Sequence, residues 1–268
     1  MKLLFLLLTS ISLLFAIELQ KPKIYKSQNI KGWYMSEKLD GIRGFWNGKK
    51  FLSKNGHEIF VPKEFIKNFP NFKLDGELWT KRGDFENIQS IVLDSNPSKK
   101  WNQITFNIFE VPEAKGDLLQ RLNKAKKWFL KHPNKHVEFI KQIKCESKKD
   151  LDKFLEKLLS KNAEGVVIKN GTLDYFTGRN KNILKVKKFF DTEGKVIGIN
   201  FDKEDKERMK SLKIKLENGV IFNLGGGFSN KQRYNYPKIG ETVTFKYYGF
   251  TKNKKPKFAS FMRVRKEE

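Results

Sequence analysis

Cysteine is almost absent: Cys145 is the one thiol in 268 residues. That excludes a disulfide framework and any structural zinc site built on four cysteines. Histidine is nearly as scarce, and His57, His132 and His136 show no metal-ligand spacing, so they read as surface positions. Beyond the N-terminus there is no long apolar run, which excludes a polytopic membrane protein. Acidic residues are outnumbered 30 to 55 by Lys and Arg, a formal charge of +25. Apolar residues reach only 38% and the mean hydropathy is −0.60. The chain nonetheless holds 24 Phe and 5 Trp, enough large side chains for a core, so a wholly disordered protein is excluded. No internal repeat or low-complexity tract is present.

A charge this large points to a polyanionic partner, nucleic acid or an anionic membrane face. The competing explanation is compositional, since Lys, Asn, Phe and Ile are enriched together, as AT-biased coding would give.

At the N-terminus, Lys2 precedes an apolar or small run over residues 3–17. It is too short to span a bilayer, which takes roughly 20 apolar residues. One positive charge, an apolar stretch of this size and the small Ala16 resemble a secretory signal peptide. Residues 1–17 are therefore set aside as a leader, which places the mature protein outside the cytoplasm.

Short apolar runs broken by glycine predict strands at 33–39, 42–46 and 50–53, and another at 73–79. Pro62 introduces a helix over 65–72. Phe85, Ile88, Ile91 and Val92 have helical spacing, ended by Pro97. Residues 104–111 read as a central strand. Asp117 caps a helix with Leu118, Leu122, Ala125 and Phe129 on one stripe, stopped by Pro133. Ser147 and Asp150 open another, carrying Leu151, Phe154, Leu155 and Leu158. Strands follow at 166–169 and 183–189. Past Phe190 the texture changes to short strands and turns. The expected fold class is α+β: a mixed domain over 22–190, then a small all-β barrel over 191–268.

The chemistry-bearing residues come in six short segments. Glu37-Lys38-Leu39-Asp40-Gly41-Ile42-Arg43 puts a lysine at a strand end before a sharp turn, with an arginine following. A lysine attacks phosphorus only as the neutral amine, so it needs desolvation or cationic neighbours, which also bind an anionic substrate. Ser53-Lys54-Asn55-Gly56 is a polar turn with a cation. Leu74-Asp75-Gly76-Glu77-Leu78 sets acids on an apolar strand, and Phe106-Asn107-Ile108-Phe109-Glu110 an aromatic face beside an acid. Glu164 precedes the buried strand 166–169. Lys185 and Lys187 alternate onto one face of a strand. Each segment alone has an ordinary structural explanation; the ordered set does not.

Taken in order, KLDGIR, SKNG, LDGEL, FNIFE, EGVVIK and LKVK resemble the covalent nucleotidyltransferase superfamily, and within it the ATP-dependent DNA ligases. The C-terminal stretch Tyr247 to Arg265 looks like the OB-fold end of minimal ligases, and the whole chain is most similar to the small E-type bacterial ligases, proposed to act in the periplasm. The resemblance implies a nucleotidyltransferase (adenylation) domain with antiparallel sheets followed by an OB-fold. Lys38 would attack the α-phosphate of ATP and hold AMP as a phosphoramidate. Glu37, Asp40, Arg43, Glu77 and Phe109 would bind the nucleotide, Glu77 at the ribose hydroxyls and Phe109 stacked on adenine. Glu164 would coordinate Mg²⁺ or another divalent metal, and Lys185 and Lys187 would neutralise charge at the α-phosphate. Arg43 and Lys54 would meet the 5′-phosphate of nicked double-stranded DNA. Lys54 departs from the arginine usual in the family, and Arg263-Val264-Arg265 matches the last family motif only in part. The implied protein is a monomeric enzyme without an obligate protein partner. RNA ligases and capping-type enzymes share the superfamily, and a secreted basic DNA-binding protein on a ligase scaffold is the non-enzymatic alternative.

Overall fold

The computed structural model describes residues 18–265, so the leader expected over residues 1–17 lies outside the described residues. The chain divides into two compact units, to Val186 and from Lys187. The expected barrel start at 191 contrasts with a long strand that already begins at Phe190.

In the first unit the strands are β1 (Gln20–Ile24), β2 (Trp33–Lys38), β3 (Ile42–Trp46), β4 (Phe51–Ser53), β5 (Glu58–Ile59) and β6 (Leu74–Trp79). Helix α1 (Phe85–Val92) leads to β7 (Thr105–Glu110), α2 (Leu118–Lys131), β8 (Val137–Phe139) and β9 (Ile143–Cys145). Helix α3 (Lys148–Leu159), β10 (Gly165–Lys169) and β11 (Gly178–Val186) complete it. They form two sheets, ordered β1-β11-β10-β2-β9 and β5-β4-β3-β6-β7-β8, mostly antiparallel.

The apolar stripes predicted for α1 and α2 pack Ile88, Ile91, Leu122, Ala125 and Phe129 with Phe51, Leu78, Phe106 and Ile108 of the second sheet. Asp117 caps α2 in a full capping box with Gln120. Ser147 accepts from the Asp150 amide to cap α3, whose Leu151 and Leu158 pack on Met35, Val166, Ile168 and Leu184 of the first sheet. The two helix starts follow from short side-chain oxygens placed where backbone N–H groups are otherwise unpaired.

Two sequence expectations change. Residues 63–68 form successive turns rather than a helix. Pro62 and Pro70 leave too little chain between them, the amides bond three residues back, and Asn68 adopts φ +65°. His136 is not a surface residue. Its ring is buried, with Nδ1 3.0 Å from the Ile104 carbonyl oxygen.

The second unit holds β12 (Phe190–Phe201), β13 (Met209–Lys215), β14 (Ile221–Leu224), the short helix α4 (Asn230–Tyr234), β15 (Thr242–Tyr247) and β16 (Ser260–Val264). The sheet order is β14-β13-β12-β15-β16, and a bridge between Gly226 and Ser260 joins its two edges. The sheet wraps around a core of Val196, Leu212, Ile214, Val243 and Phe245. Gly227, at φ +90°, lets the chain run against Phe261; a Cβ would stand 2.5 Å from that residue's backbone nitrogen.

Candidate active site

Lys38 is the last residue of β2 and lies opposite Gly165, the first of β10. Residues directly opposed in an antiparallel pair share a face. Through Val167, which faces Ser36 on one side and Lys185 on the other, this rule puts Lys38, Lys169 and Lys185 on one face of the first sheet. The apolar side chains Met35, Val166, Ile168 and Leu184 take the other face. The polar face is thus cationic because the opposite face is consumed by the core.

Glu164, just before β10, meets the nucleophile candidate directly. Lys38 Nζ donates to Glu164 Oε2 at 2.5 Å, with side chains 25% and 13% exposed. In the second sheet Arg43 of β3 stands opposite Glu77 of β6. Glu77 is half-buried, and the protein mass around it pushes its carboxyl up to about 8. The charges of Lys38 and Arg43 pull it down, while Glu164 and Asp75 push the same way as burial. Glu77 therefore stands largely protonated near neutral pH, able both to donate and to accept a hydrogen bond. Gly41 permits this closeness, since a Cβ there would overlap the Leu78 carbonyl oxygen.

Arg43 is held through three of its five N–H donors. Its Nε donates to Asp75 Oδ1 at 2.8 Å, Nη2 donates to Asp75 Oδ2, and Nη1 donates to the Gln20 carbonyl at 2.6 Å. Its guanidinium carbon lies 5.4 Å from the centre of the Phe109 ring, and Lys169 Nζ lies 5.9 Å from the same ring. The Gln20 side-chain amide is buried, with neither its oxygen nor its nitrogen partnered among the described residues. A half-exposed Phe109 ring near the Arg43 guanidinium, with the Glu77 carboxyl opposite Arg43 on the next strand, suits a base and its sugar diol. That observation supports a fit to ATP.

Lys169 of this face joins a buried ion cluster. Glu110 Oε1 accepts from Arg121 Nε at 2.8 Å, and Oε2 accepts from Arg121 Nη2 at 3.0 Å and from Lys169 Nζ at 2.8 Å. Burial alone would raise the Glu110 carboxyl. The Lys169 charge and the Arg121 hydrogen bonds reverse that and hold it down at about 2. Arg121 Nη1 also ties down the carbonyls of Gly116 and Leu173.

Lys38, Arg43, Glu77, Phe109 and Glu164 thus gather in the first unit, with Asp40 in the loop between β2 and β3. Glu37 pairs with Val166 on the face opposite Lys38, and Arg82 holds its carboxylate. Lys187 is not on a strand with Lys185. Strand β11 ends at Val186, and Lys187 belongs to the second unit, its Nζ 5.6 Å from the Tyr248 ring centre and 5.3 Å from that of Phe258. Lys54 is exposed in the turn between β4 and β5. In the second unit Arg265 donates to Glu193 at 2.6 Å.

Sequence reasoning gave no role to Asp75, Arg82, Arg121 or Lys169. Asp75 and Lys169 lie inside LDGEL and EGVVIK, where a charge on a buried strand was the available signal; Arg82 and Arg121 carry none. Among the described residues no group of three or more His, Cys, Asp or Glu side chains is arranged to hold a metal. A single carboxylate at Glu164 suits Mg²⁺, which commonly takes one or two carboxylates and completes its shell with water and phosphate oxygens.

Residues 19–187 match the family model described as the ATP dependent DNA ligase domain, and residues 203–265 match the DNA ligase OB-like domain. A DNA ligase of Haemophilus influenzae is 41% identical over 243 residues, 90% of this chain and 90% of that protein. A solved structure from work on DNA binding by the minimal scaffold of Lig E DNA ligases superposes with a TM-score of 0.88. It is 40% identical and covers 92% of this chain and 99% of its own. The Chlorella virus DNA ligase-adenylate shares the fold, with a TM-score of 0.54 and 22% identity over 94% of this chain and 99% of that one.

Proposed function

This chain belongs to the ATP-dependent DNA ligases, and we propose that it seals nicks in duplex DNA through AMP carried on Lys38. The Nζ of Lys38 attacks the α-phosphorus of ATP, the bond to the β-phosphate oxygen breaks, and pyrophosphate leaves as Nζ gives up its proton. A 5′-phosphate oxygen at the nick then attacks the same phosphorus, breaking the N–P bond and returning the amine. The 3′-hydroxyl attacks the activated 5′-phosphorus, loses its proton and expels AMP.

The observation that carries this reading is the 2.5 Å contact between Lys38 and Glu164, with Glu77 and Arg43 close enough to perturb one another. Glu77 grips the ribose hydroxyls and Phe109 stacks on the base. Arg43, braced by Asp75, borders the ribose. Lys185 offsets charge that develops at the α-phosphate. Glu164 orients Nζ and binds a divalent cation. Mg²⁺ held there would neutralise phosphate charge. Residues 1–17 direct the enzyme to the periplasm, where it acts as a monomer.

Incubation with α-labelled ATP and magnesium, followed by a denaturing gel, tests the reading. A labelled band with ATP and none with α-labelled GTP is the expected outcome. Labelling by GTP alone would point to capping chemistry, and no label to a DNA-binding protein without catalysis.

Glu164→Ala should keep the fold and lose metal-dependent adenylation by about 100-fold, the scale of removing one charge-stabilising group. Rates of label uptake over a magnesium titration check this; a wild-type curve would remove Glu164 from the reaction. DNA affinity should fall steeply with salt. For Z phosphates neutralised, the log–log slope is about −0.9Z on duplex DNA. Fluorescence anisotropy of a nicked duplex measures it, and a flat response would mean that the +25 charge is compositional.

A further inference from the structure

Glu37 precedes Lys38 on β2, and strand alternation turns the two side chains to opposite faces. Arg82 grips Glu37 with its planar fork: Nε donates to Oε1 and Nη2 to Oε2, both at 2.7 Å. This two-point geometry is the strongest form of an arginine–carboxylate contact and the most restrictive in angle.

Arg82 stands in the loop that leaves β6 for α1, a few residues past Glu77. That loop is itself braced. Thr80 Oγ1 donates to Asp84 Oδ2 at 2.7 Å, and Asn87 Nδ2 donates to the same oxygen at 2.9 Å. Asp84 is also the residue at which α1 begins. The pair therefore ties the end of one sheet, which carries Lys38, to the strand of the other sheet that carries Glu77. Both side chains are partly exposed, so the bridge itself adds little to global stability. A bidentate contact of small stabilising value beside a nucleophile has its use in geometry.

We propose that Arg82 is a positioning residue: through Glu37 it fixes the end of β2 and so sets where Lys38 Nζ stands relative to Glu77 and the α-phosphate. The proposal rests on Lys38 being the adenylated residue. It assigns Glu37 to holding the strand, in place of the nucleotide contact that the sequence resemblance implies.

Single-turnover adenylation of the full-length protein across a range of α-labelled ATP concentrations tests it. The variants are Arg82→Gln, Glu37→Gln, the double variant, and the swapped pair Glu37→Arg with Arg82→Glu. Each single variant should lower the maximal rate about tenfold or more, since a misplacement of an ångström in a reacting group can cost about 100-fold. The ATP concentration for half-maximal rate should stay within about twofold, because ground-state binding is untouched. The double variant should be no slower than either single, and the swapped pair should recover most of the rate. Arg82→Lys keeps the charge but not the fork, and should fall between wild type and Arg82→Gln. Thermal melting near that of wild type shows that a slow variant is folded. A raised ATP requirement in Glu37→Gln at an unchanged maximal rate would overturn the proposal in favour of a nucleotide contact. So would additive losses in the double variant, or a swapped pair no faster than the singles. Label on the wild type with unaltered variants overturns the clamp alone, whereas no label on the wild type overturns the assignment of Lys38 and the clamp with it.

Discussion

Lys38→Ala should take no label from α-labelled ATP and seal no nicks, while binding nicked DNA nearly as well as wild type. The loss is complete because no other group can form the same N–P bond. Nucleophilic catalysis depends on one atom in one place, and the neighbouring cations Lys169 and Lys185 lie further along the sheet on other strands. Binding survives because one positive charge is removed from 55 Lys and Arg. The side chain is 25% exposed, so its truncation leaves no buried cavity, although Glu164 loses its ion partner. The loss should extend to overall sealing from ATP, yet the variant should still join a nick whose 5′ end already carries AMP, because that last step does not pass through the amine. Gel assays of the three activities check this. Residual label on Lys38→Ala would place the nucleophile elsewhere.

Glu110→Ala should be strongly destabilising to the first unit. Glu110 is fully buried, and its removal strands Arg121, 1% exposed, and Lys169, 7% exposed, without a counter-charge. Breaking one partner out of a buried ion cluster costs about 3–5 kcal/mol. For a unit of this size that corresponds to a melting temperature lower by roughly 10 °C. Acid should expose the same residue in the wild type. The folded carboxyl sits at about 2, below the ordinary 4.5. Its stabilisation is therefore fully present above pH 4.5 and is lost as pH falls toward 2, about 3 kcal/mol in all. Glu110→Ala should lack that part of the acid limb. Calorimetric melts between pH 2 and 7 measure both effects. A variant that melts with the wild type and keeps its acid dependence would contradict the cluster's role.

Which parts of this site the sequence discloses follows from how far apart the partners lie. Lys38, Glu77 and Glu164 are legible because each lies on or just beside a strand, inside a short segment of fixed residue types. The face that Lys38 and Lys185 share follows from the register of β2, β10 and β11, which no local pattern gives. The caps of α2 and α3 are legible for the same local reason: an oxygen-bearing side chain three residues from the amide it accepts. The ion pairs are not. Arg82 meets Glu37 across 45 residues, and Lys169 meets Glu110 across 59. Nothing in either local sequence names its partner. The parallel pairing of β1 with β11 joins Gln20 to Gly178, which no short-range pattern foretells. Residues 65–72 have a helical apolar spacing, but Pro62 before them and Pro70 within them hold the chain to turns that still bury Phe65. Lys185 and Lys187 share a face only if the strand continues. It stops between them, and Lys187 falls to the second unit.

The measurement that bears most directly on the central claim is the fate of the AMP itself. Wild-type protein is loaded with ATP and magnesium, freed of nucleotide, and divided. One half is digested and the modified peptide sequenced by mass spectrometry; the other is mixed with duplex DNA bearing a 5′-phosphorylated nick. The expected result is AMP on Lys38 alone, discharged in a single turnover as the nick closes. AMP on another residue, or AMP on Lys38 that the nicked duplex fails to remove, would contradict it.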